Sequence, residues 1–515
     1  MPVRVLTLGE IRELDRRAIE ELGIPGLVLM ENAALATVDA LGDRFADARR
    51  IGLVCGPGNN GADGLAAVRQ LDARGYEVTV IQAAFGRALS PDCLRQREIL
   101  AALGIEIVDL PIGFAPAELS PLAGVDLLVD ALFGAGLTRP LDGDWARLVE
   151  GLGALERPCL AIDLPSGLDG DRDAPIGPCL EATVTVTFVA PKPALVLPPA
   201  CDLAGEVVVA DLGFRFDGGG GPNALHLLIA EELGATVVPR RPEAHKGSFG
   251  HVLLVAGGRG KVGAMVLAAR ASVVAGAGLT TVALPAGLVE ALAAGCPEAM
   301  SLPLPETGDG SLGLAALDAL TEAGEARTVL AIGPGLGRHH ETEELVRALA
   351  SRSSRALVLD ADGLNAFAGR LEELARRSAP TVLTPHPGEL ARLLELTNDE
   401  VLIDRLGAAR EAARRSGAVV ALKGRATIVA APDGEAWINT TGNPGMASGG
   451  SGDVLTGIVA ARLAQGDEAS FAAALSVHLH GLAGDLAAAR LGGPAVPASE
   501  LLESWGQAWQ SLNSE

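Results

Sequence analysis

Lysine is nearly missing from this chain of 515 residues: Lys192, Lys246, Lys261 and Lys423 are all there is, and each lies beside a glycine- or proline-rich motif. The charge balance is one-sided as well. With 41 lysines and arginines against 64 aspartates and glutamates, the net charge is -23. Such a field repels phosphate-rich polymers and anionic bilayers, so neither nucleic acid nor a membrane is an expected partner. No run of ~18 uninterrupted apolar residues is present and no basic-then-apolar leader opens the sequence, which makes the cytoplasm the expected location. The six cysteines show no CxxC spacing and sit in apolar surroundings, as reduced core thiols do. The eight histidines contain no HExxH, and His478 and His480 are two apart and diverge on a helix, so no zinc site is expected.

What the chain does have is a hydrophobic content of 49%, enough for large cores, and glycine-rich loops. Short β-branched or apolar runs alternate with alanine-rich helical stretches, the pattern of parallel sheets covered on both faces. The fold class is α/β, with two three-layer αβα domains. In the first half, residues 51–55, 77–81, 127–129, 159–162, 183–189 and 206–210 read as strands. In the second half, the strands read are 252–255, 280–283, 329–332, 356–359, 382–384, 419–422 and 427–430. Between them Asp217-Gly-Gly-Gly-Gly-Pro222 offers nothing to pack, so the domains are expected at 1–216 and 223–515 with 217–222 as linker.

Ligands of parallel sheets bind beyond the carboxyl ends of strands. In the first half those ends carry Gly56-Pro-Gly-Asn-Asn-Gly-Ala-Asp-Gly64, read as a strand-to-helix turn with the helix starting at Leu65, and then Asp130 and Asp163. Asn60, Asp130 and Ser166 can converge on one hard cation, potassium or magnesium, leaving Asp163 for acid or base work. Taken singly, Asp130 and Asp163 are equally helix or turn caps. Near the C-terminus, Gly449, Gly450 and Gly452 free successive backbone N–H groups to cradle a phosphate, with a helix opening near Asp453. The helix dipole is expected to keep Asp453 ionised, fit to deprotonate an attacking hydroxyl; the alternative is a plain N-capping aspartate.

Taken together, Pro57–Gly64, Asp130–Leu137, Asp163–Asp169 and Ala190-Pro-Lys-Pro193 resemble the NAD(P)H-hydrate epimerase domain. The second half resembles its usual fusion partner, the ADP-dependent NAD(P)H-hydrate dehydratase of ribokinase-like fold. The motifs are His245-Lys-Gly-Ser-Phe-Gly250, Gly333-Pro-Gly-Leu-Gly337, Asp360-Ala-Asp-Gly-Leu-Asn365, Thr384-Pro-His-Pro-Gly-Glu389 and the Gly-Ser-Gly-Asp loop. The resemblance implies repair of hydrated NADH and NADPH. A Rossmann-like N-terminal domain interconverts the R and S hydrates, and the C-terminal domain dehydrates the S hydrate at the expense of ADP, giving AMP and phosphate.

It also implies site residues. For the epimerase they are Asn59, Asn60, Gly61, Ala62, Asp63, then Gly134, Ala135, Gly136, Leu137, Thr138, Arg139, Pro140, and the catalytic Asp163, with K+ on Asn60, Asp130 and Ser166. For the dehydratase they are Ala264, Gly335, Gly337, His386 and the base Asp453 around the hydrate. Lys423, Gly424, Arg425, Ala426, Thr427 and Gly452 surround ADP and its Mg2+, Lys423 being available to the phosphates. Ala62 stands where the family usually has a glycine, a cost if that position needs positive φ. A homo-oligomer is expected, and Trp505 and Trp509, at i,i+4 spacing, dock the last helix onto the body or another subunit. A ribokinase-like small-molecule kinase with a nucleotide-binding N-terminal domain is the alternative, but it leaves the N-terminal motifs without a task.

Overall fold

The computed structural model describes residues 3–214 and 223–512, and the linker expected at 217–222 lies outside the described residues. The chain divides into two compact units, Arg4–Gly219 and Gly220–Glu515, and Val3 groups with the second, its carbonyl accepting the Leu227 N–H at 2.9 Å. Among the described residues no helix is long and apolar enough to cross a membrane.

The sheet of the first unit is wholly parallel. From edge to edge it runs Ile107–Leu110, Glu77–Ala83, Arg50–Cys55, Leu127–Ala131, Cys159–Ile162, Val184–Phe188 and Glu206–Ala210. Its central strands are buried on both faces because both are covered. Helices Gly26–Arg44, Asn59–Ala73 and Pro91–Ala102 pack one side and helix Gly143–Gly153 the other, in separate apolar clusters. Each fully buried Leu, Ile or Val contributes roughly 1.5–3 kcal/mol. The order reverses between Arg50–Cys55 and Leu127–Ala131, which opens a crevice at their carboxyl ends.

The second unit repeats the logic. Its sheet runs Leu225–Leu227, Ala436–Ile438, Ile428–Ala430, Val419–Leu422, Thr381–Leu383, Ala356–Leu359, Val329–Ile332, His251–Val255, Leu279–Pro285 and Met300–Leu304. The strands are parallel from Val419–Leu422 to Met300–Leu304, and an antiparallel meander extends the other end. The order reverses between His251–Val255 and Val329–Ile332. Helices Val262–Val274, Ser451–Ala464, Ala469–Leu491 and Ala498–Ser511 share one core. Trp505 is buried in it, so the last helix docks onto the body of its own unit.

Besides the two-residue strand Arg4–Val5, four strands were not read from the sequence: Ile107–Leu110, Met300–Leu304, Leu225–Leu227 and Ala436–Ile438. The first two are edge strands with mostly half-buried or exposed residues, and Met300–Leu304 contains Pro303. The other two are three residues long and gain their partners only in the folded sheet. None presents the apolar run by which a buried strand is recognised.

Two candidate active sites at the strand ends

Asn59–Asp63 are not a turn. Helix Asn59–Ala73 begins directly after the loop, with Gly58 as an N-cap that carries no side-chain cap, so the first amides are left for a ligand. Ala62 is inside this helix, fully buried and not at positive φ, so the cost anticipated for alanine does not arise, and alanine is the better helix former there. The loop itself is held from residues the sequence did not point to. Gln82 Nε2 donates to the carbonyls of Cys55 (3.0 Å) and Gly56 (2.8 Å), and Cys93 Sγ lies 3.3 Å from the Gly58 carbonyl. Gly61 is obligatory, since a Cβ there would stand 1.8 Å from the Gly56 carbonyl oxygen.

A cavity of about 580 Å³ opens at this crevice, lined by Pro57, Gly58, Asn59, Asn60 and Asp63 from one strand end and by residues 132–136 from the next. Gly61 and Ala62 pack behind it. Leu137, Thr138, Arg139 and Pro140 lie outside the lining, Leu137 in the apolar core and the other three exposed.

Asp163 faces this cavity with φ +68, a conformation few non-glycine residues adopt, and Val189 opposite has φ +66. Both are pinned by the sheet: Asp163 N–H donates to the Val186 carbonyl at 2.8 Å and Val189 N–H to that of Ala210 at 2.9 Å. The Asp163 carboxylate accepts the Ala135 N–H at 2.7 Å and Lys192 Nζ at 2.8 Å. Lys192 is 1% exposed and gives its remaining protons to Thr187 Oγ1 (2.7 Å) and the Phe188 carbonyl (3.2 Å). Its cation is thus fully spent inside the protein. Burial, and then Asp163, raise the Asp15 carboxyl above its usual range; burial, Asp163 and Asp15 push that of Asp63 well above it. A carboxylate held by a buried lysine beside carboxyls whose burial favours the protonated form is an acid–base arrangement.

Asp130 is buried, its Oδ1 accepting from Ser166 Oγ (2.7 Å) and Leu132 N–H (3.1 Å) and its Oδ2 from Ser166 N–H (2.7 Å). Burial still raises its pKa to about 6, against those hydrogen bonds. A Cβ on Gly134 would lie 2.5 Å from Asp163 Oδ2 and 3.0 Å from Asn60 Oδ1. Gly134→Ala is therefore expected to displace Asp163 and lower the activity of this cavity by about 10²-fold, with that of the second unit intact, as steady-state assays of each will read.

In the second unit, Gly450 with φ +97 is the N-cap of helix Ser451–Ala464, and no side chain caps that helix. Asp453, in its first turn, is therefore no cap. Nor is it kept ionised by the dipole: burial first, then Asp360, raise its pKa to about 7 against the pull of Lys423. Its carboxylate accepts no hydrogen bond among the described residues, and is open to a substrate hydroxyl.

Around it stand groups that the sequence reading had placed in motifs without giving them a role. Asp360, 1% exposed, accepts from Lys423 Nζ (2.7 Å) and Thr456 Oγ1 (2.7 Å). Glu389 lies 3.8 Å from the same Nζ. Burial opposes the charge of Lys423, yet Asp360 and Glu389 outweigh it and its pKa is raised. Lys423 was expected to be available to phosphates; its Nζ is instead already paired, next to the position a Gly452 Cβ would occupy, 3.2 Å away. The loop from Lys423 to Thr427 is a hairpin connection whose carbonyls at Arg425 and Ala426 are held by buried Arg405.

His386 caps helix Pro387–Leu394 through a capping box with Glu389, and its ring is half exposed, its pKa lowered by burial and by Lys423. Gly335 and Ala264 meet where a Cβ on Gly335 would lie 3.3 Å from that of Ala264. Gly337 N–H donates to Asp362 Oδ2 at 2.8 Å, which also takes Lys261 Nζ at 2.9 Å. His480 Nε2 braces the glycine loop through the Ser451 carbonyl at 2.9 Å, and burial lowers its pKa to about 4. In the sequence these partners were visible only as members of separate motifs, Asp360–Asn365 and Thr384–Glu389, and as two of the rare lysines.

The comparisons with known proteins follow the same division. A family model described as NAD(P)H-hydrate dehydratase matches residues 252–505, and one described as YjeF-related protein N-terminus matches residues 26–194. The bifunctional NAD(P)H-hydrate repair enzyme of Moorella thermoacetica is 43% identical over 99% of this chain and 97% of its own length. That of Thermofilum pendens is 37% identical over 100% and 97%. The structure of an ADP/ATP-dependent NAD(P)H-hydrate dehydratase from Bacillus subtilis, co-crystallised with ATP and Mg2+, is 30% identical; the match covers 56% of this chain and 98% of that one at a TM-score of 0.49. Two α/β units, each with carboxylates gathered at its strand ends, and full-length identity to these enzymes lead to one conclusion: the chain belongs to the family of bifunctional NAD(P)H-hydrate repair enzymes.

Proposed function

We propose that the first unit epimerises the R and S hydrates of NADH and NADPH, and that the second dehydrates the S hydrate with ADP. The observation that carries this reading is the presence, on one chain, of a candidate proton-accepting carboxylate in each unit, Asp163 facing the cavity of the first and Asp453 left without a hydrogen-bond partner among the described residues, beside Asp360 and behind a glycine loop in the second. In the second unit Asp453 takes the proton of the C6 hydroxyl as its oxygen bonds to the β-phosphorus of ADP and the bond to AMP breaks. The C6–O bond then breaks with the electron pair leaving on phosphate, pushed by the ring nitrogen, and loss of the C5 proton restores the double bond. Water leaves poorly from carbon; phosphate leaves well. The N–H groups at Gly449 to Gly452 meet the charge on the transferred group, that of Ser448 being spent on the Met446 carbonyl at 2.8 Å. The surplus of carboxylates, Asp360, Asp362, Glu389 and Asp453 against Lys423 and Lys261, favours the arrival of ADP together with Mg2+, which would neutralise its phosphates.

In the first unit Asp163 is the proton acceptor at the hydrated ring, Lys192 balances its carboxylate, and Asp63 or Asp15, whose burial favours the protonated form, returns a proton. The K+ reading is supported by Asn60, whose Nδ2 is buried and without a partner. With the amide turned over, its oxygen would be free for a hard cation and, with those of Asp130 and Ser166, would complete an all-oxygen donor set. Bound there, K+ supplies positive charge beside the substrate pocket. Potassium in place of choline is expected to raise the unfolding midpoint, by about 2.7 kcal/mol of stability at a hundred times its dissociation constant. Asn60→Ala and Ser166→Ala flatten that response, and a wild-type chain indifferent to potassium removes the assignment.

The whole reading is tested by incubating the chain with mixed hydrates, Mg2+, K+ and ADP while following the near-ultraviolet absorbance of the recovered dihydronicotinamide. Recovery of both epimers, with one AMP and one phosphate each, is the expected result. Recovery of the S fraction alone leaves only the second unit's activity, and a phosphorylated product with no recovered cofactor belongs to a small-molecule kinase.

A further inference from the structure

The cavity of the first unit is rimmed by three cations that differ in one respect. Lys192 is spent on Asp163, Thr187 and the Phe188 carbonyl, and Arg12 reaches the Ala135 carbonyl at 3.5 Å. Arg87, exposed at the rim, has no ion pair and no side-chain hydrogen bond among the described residues. In a chain with a net charge of -23 and arginines commonly paired to carboxylates, a guanidinium left unpaired at a cavity stands out. It is also held in place. Its carbon lies 5.3 Å from the Trp145 ring centroid and 5.9 Å from that of Phe133, and Phe133 itself lines the cavity. These rings brace the guanidinium without consuming its hydrogen bonds.

The backbone is shaped to deliver it. Strand Glu77–Ala83 runs into a tight turn closed by Arg87 N–H on the Ala84 carbonyl at 3.0 Å, with Phe85 at φ +44 and Gly86 at φ +79. A phenylalanine in that region is strained, and here it is over-determined by stacking on Phe114 (5.7 Å) and an edge contact with Trp145 (4.7 Å). This turn follows the second strand of a doubly wound sheet, where the sugar of a bound dinucleotide is read: an acidic residue there suits a free 2′-hydroxyl, an arginine a 2′-phosphate. The turn from Ala84 to Arg87 contains no acid.

We propose that Arg87 is a substrate-specificity residue of the epimerase cavity, binding a phosphate of the hydrated dinucleotide through its unpaired guanidinium. The inference rests on the epimerase reading of this unit. Two sources share the chemistry, the 2′-phosphate of the NADPH hydrate and the pyrophosphate common to both hydrates. Epimerisation by the full-length chain, followed by chromatographic resolution of the epimers, separates them. With Arg87→Gln, KM for the NADPH hydrate is expected to rise about tenfold or more at little-changed kcat, the loss of one charge-assisted pair, and Arg87→Lys to keep part of the affinity. A rise confined to the NADPH hydrate assigns the 2′-phosphate; an equal rise for both hydrates assigns the pyrophosphate. Unchanged KM for both in an active variant, or a fall in kcat alone, overturns the proposal. A wild-type chain that dehydrates the S hydrate but never interconverts the epimers removes the epimerase reading, and the proposal falls with it. Because Arg87 is exposed and unpaired, its replacement leaves the fold intact, which an unchanged unfolding midpoint will show.

Discussion

Asp453→Asn is expected to reduce kcat for ADP-dependent dehydration by about 10³-fold while epimerisation continues at the wild-type rate. The carboxylate makes no hydrogen bond that folding depends on, and it sits among Asp360, Asp362 and Glu389, whose charges oppose its own. Removing its charge therefore relieves repulsion. Sign matters here: a carboxyl raised to about 7 in the folded state and ordinary in the unfolded chain costs stability as pH rises from the usual carboxylate range to about 7, so the variant gains on the wild type across that window, keeps the gain above it and matches the wild type only below the usual carboxylate range. For the wild type, kcat/KM of dehydration is expected to rise with pH through about 7, because the ionised carboxylate is the working form. A lost activity accompanied by lost stability would make Asp453 a structural residue. A variant that still dehydrates the S hydrate at close to the original rate would remove it from the mechanism.

Asp163→Asn is expected to abolish epimerisation and also to destabilise the first unit, by about 3–5 kcal/mol, because it strands the buried Lys192 ammonium. Asparagine tolerates the left-handed φ of +68, so this substitution removes charge without adding backbone strain. The two effects separate in the double variant Asp163→Asn with Lys192→Met, which leaves no unpaired charge and is expected to recover much of the stability but none of the epimerisation. Chemical denaturation and the rate of R-to-S conversion are the two readouts. Dehydration of the S hydrate should be unaffected in both variants. A single variant as stable as wild type would mean that Lys192 finds another counter-charge, and retained epimerisation would move the proton acceptor elsewhere, to Asp15 or Asp63.

How much of this was legible beforehand differs by element. Buried strands such as Val329–Ile332 and Val419–Leu422 announce themselves as uninterrupted apolar runs, whereas edge strands such as Ile107–Leu110 do not, since half their residues face solvent. The glycine loops were visible because close backbone approach admits no other residue. Asn59–Asp63 misled, because asparagine and glycine are turn formers in isolation and only the packed sheet completes a helix beneath them. Lys192 and Lys423 drew notice as rare lysines, yet what they do is set by Asp163 and Asp360, 29 and 63 positions away in sequence.

By itself the sequence determined the α/β class, the glycine loops and the family, since strand periodicity and motif spacing are local properties of the chain. Tertiary structure alone decided which charges meet. It made Asp453 a group that titrates near neutrality instead of a dipole-ionised one, paired Lys423 before any phosphate arrives, and left Arg87 unpaired at a cavity rim. The reason is physical: ionisation depends on burial and on neighbours within a few ångströms, and both are created only when distant strand ends are brought to the same edge of a sheet.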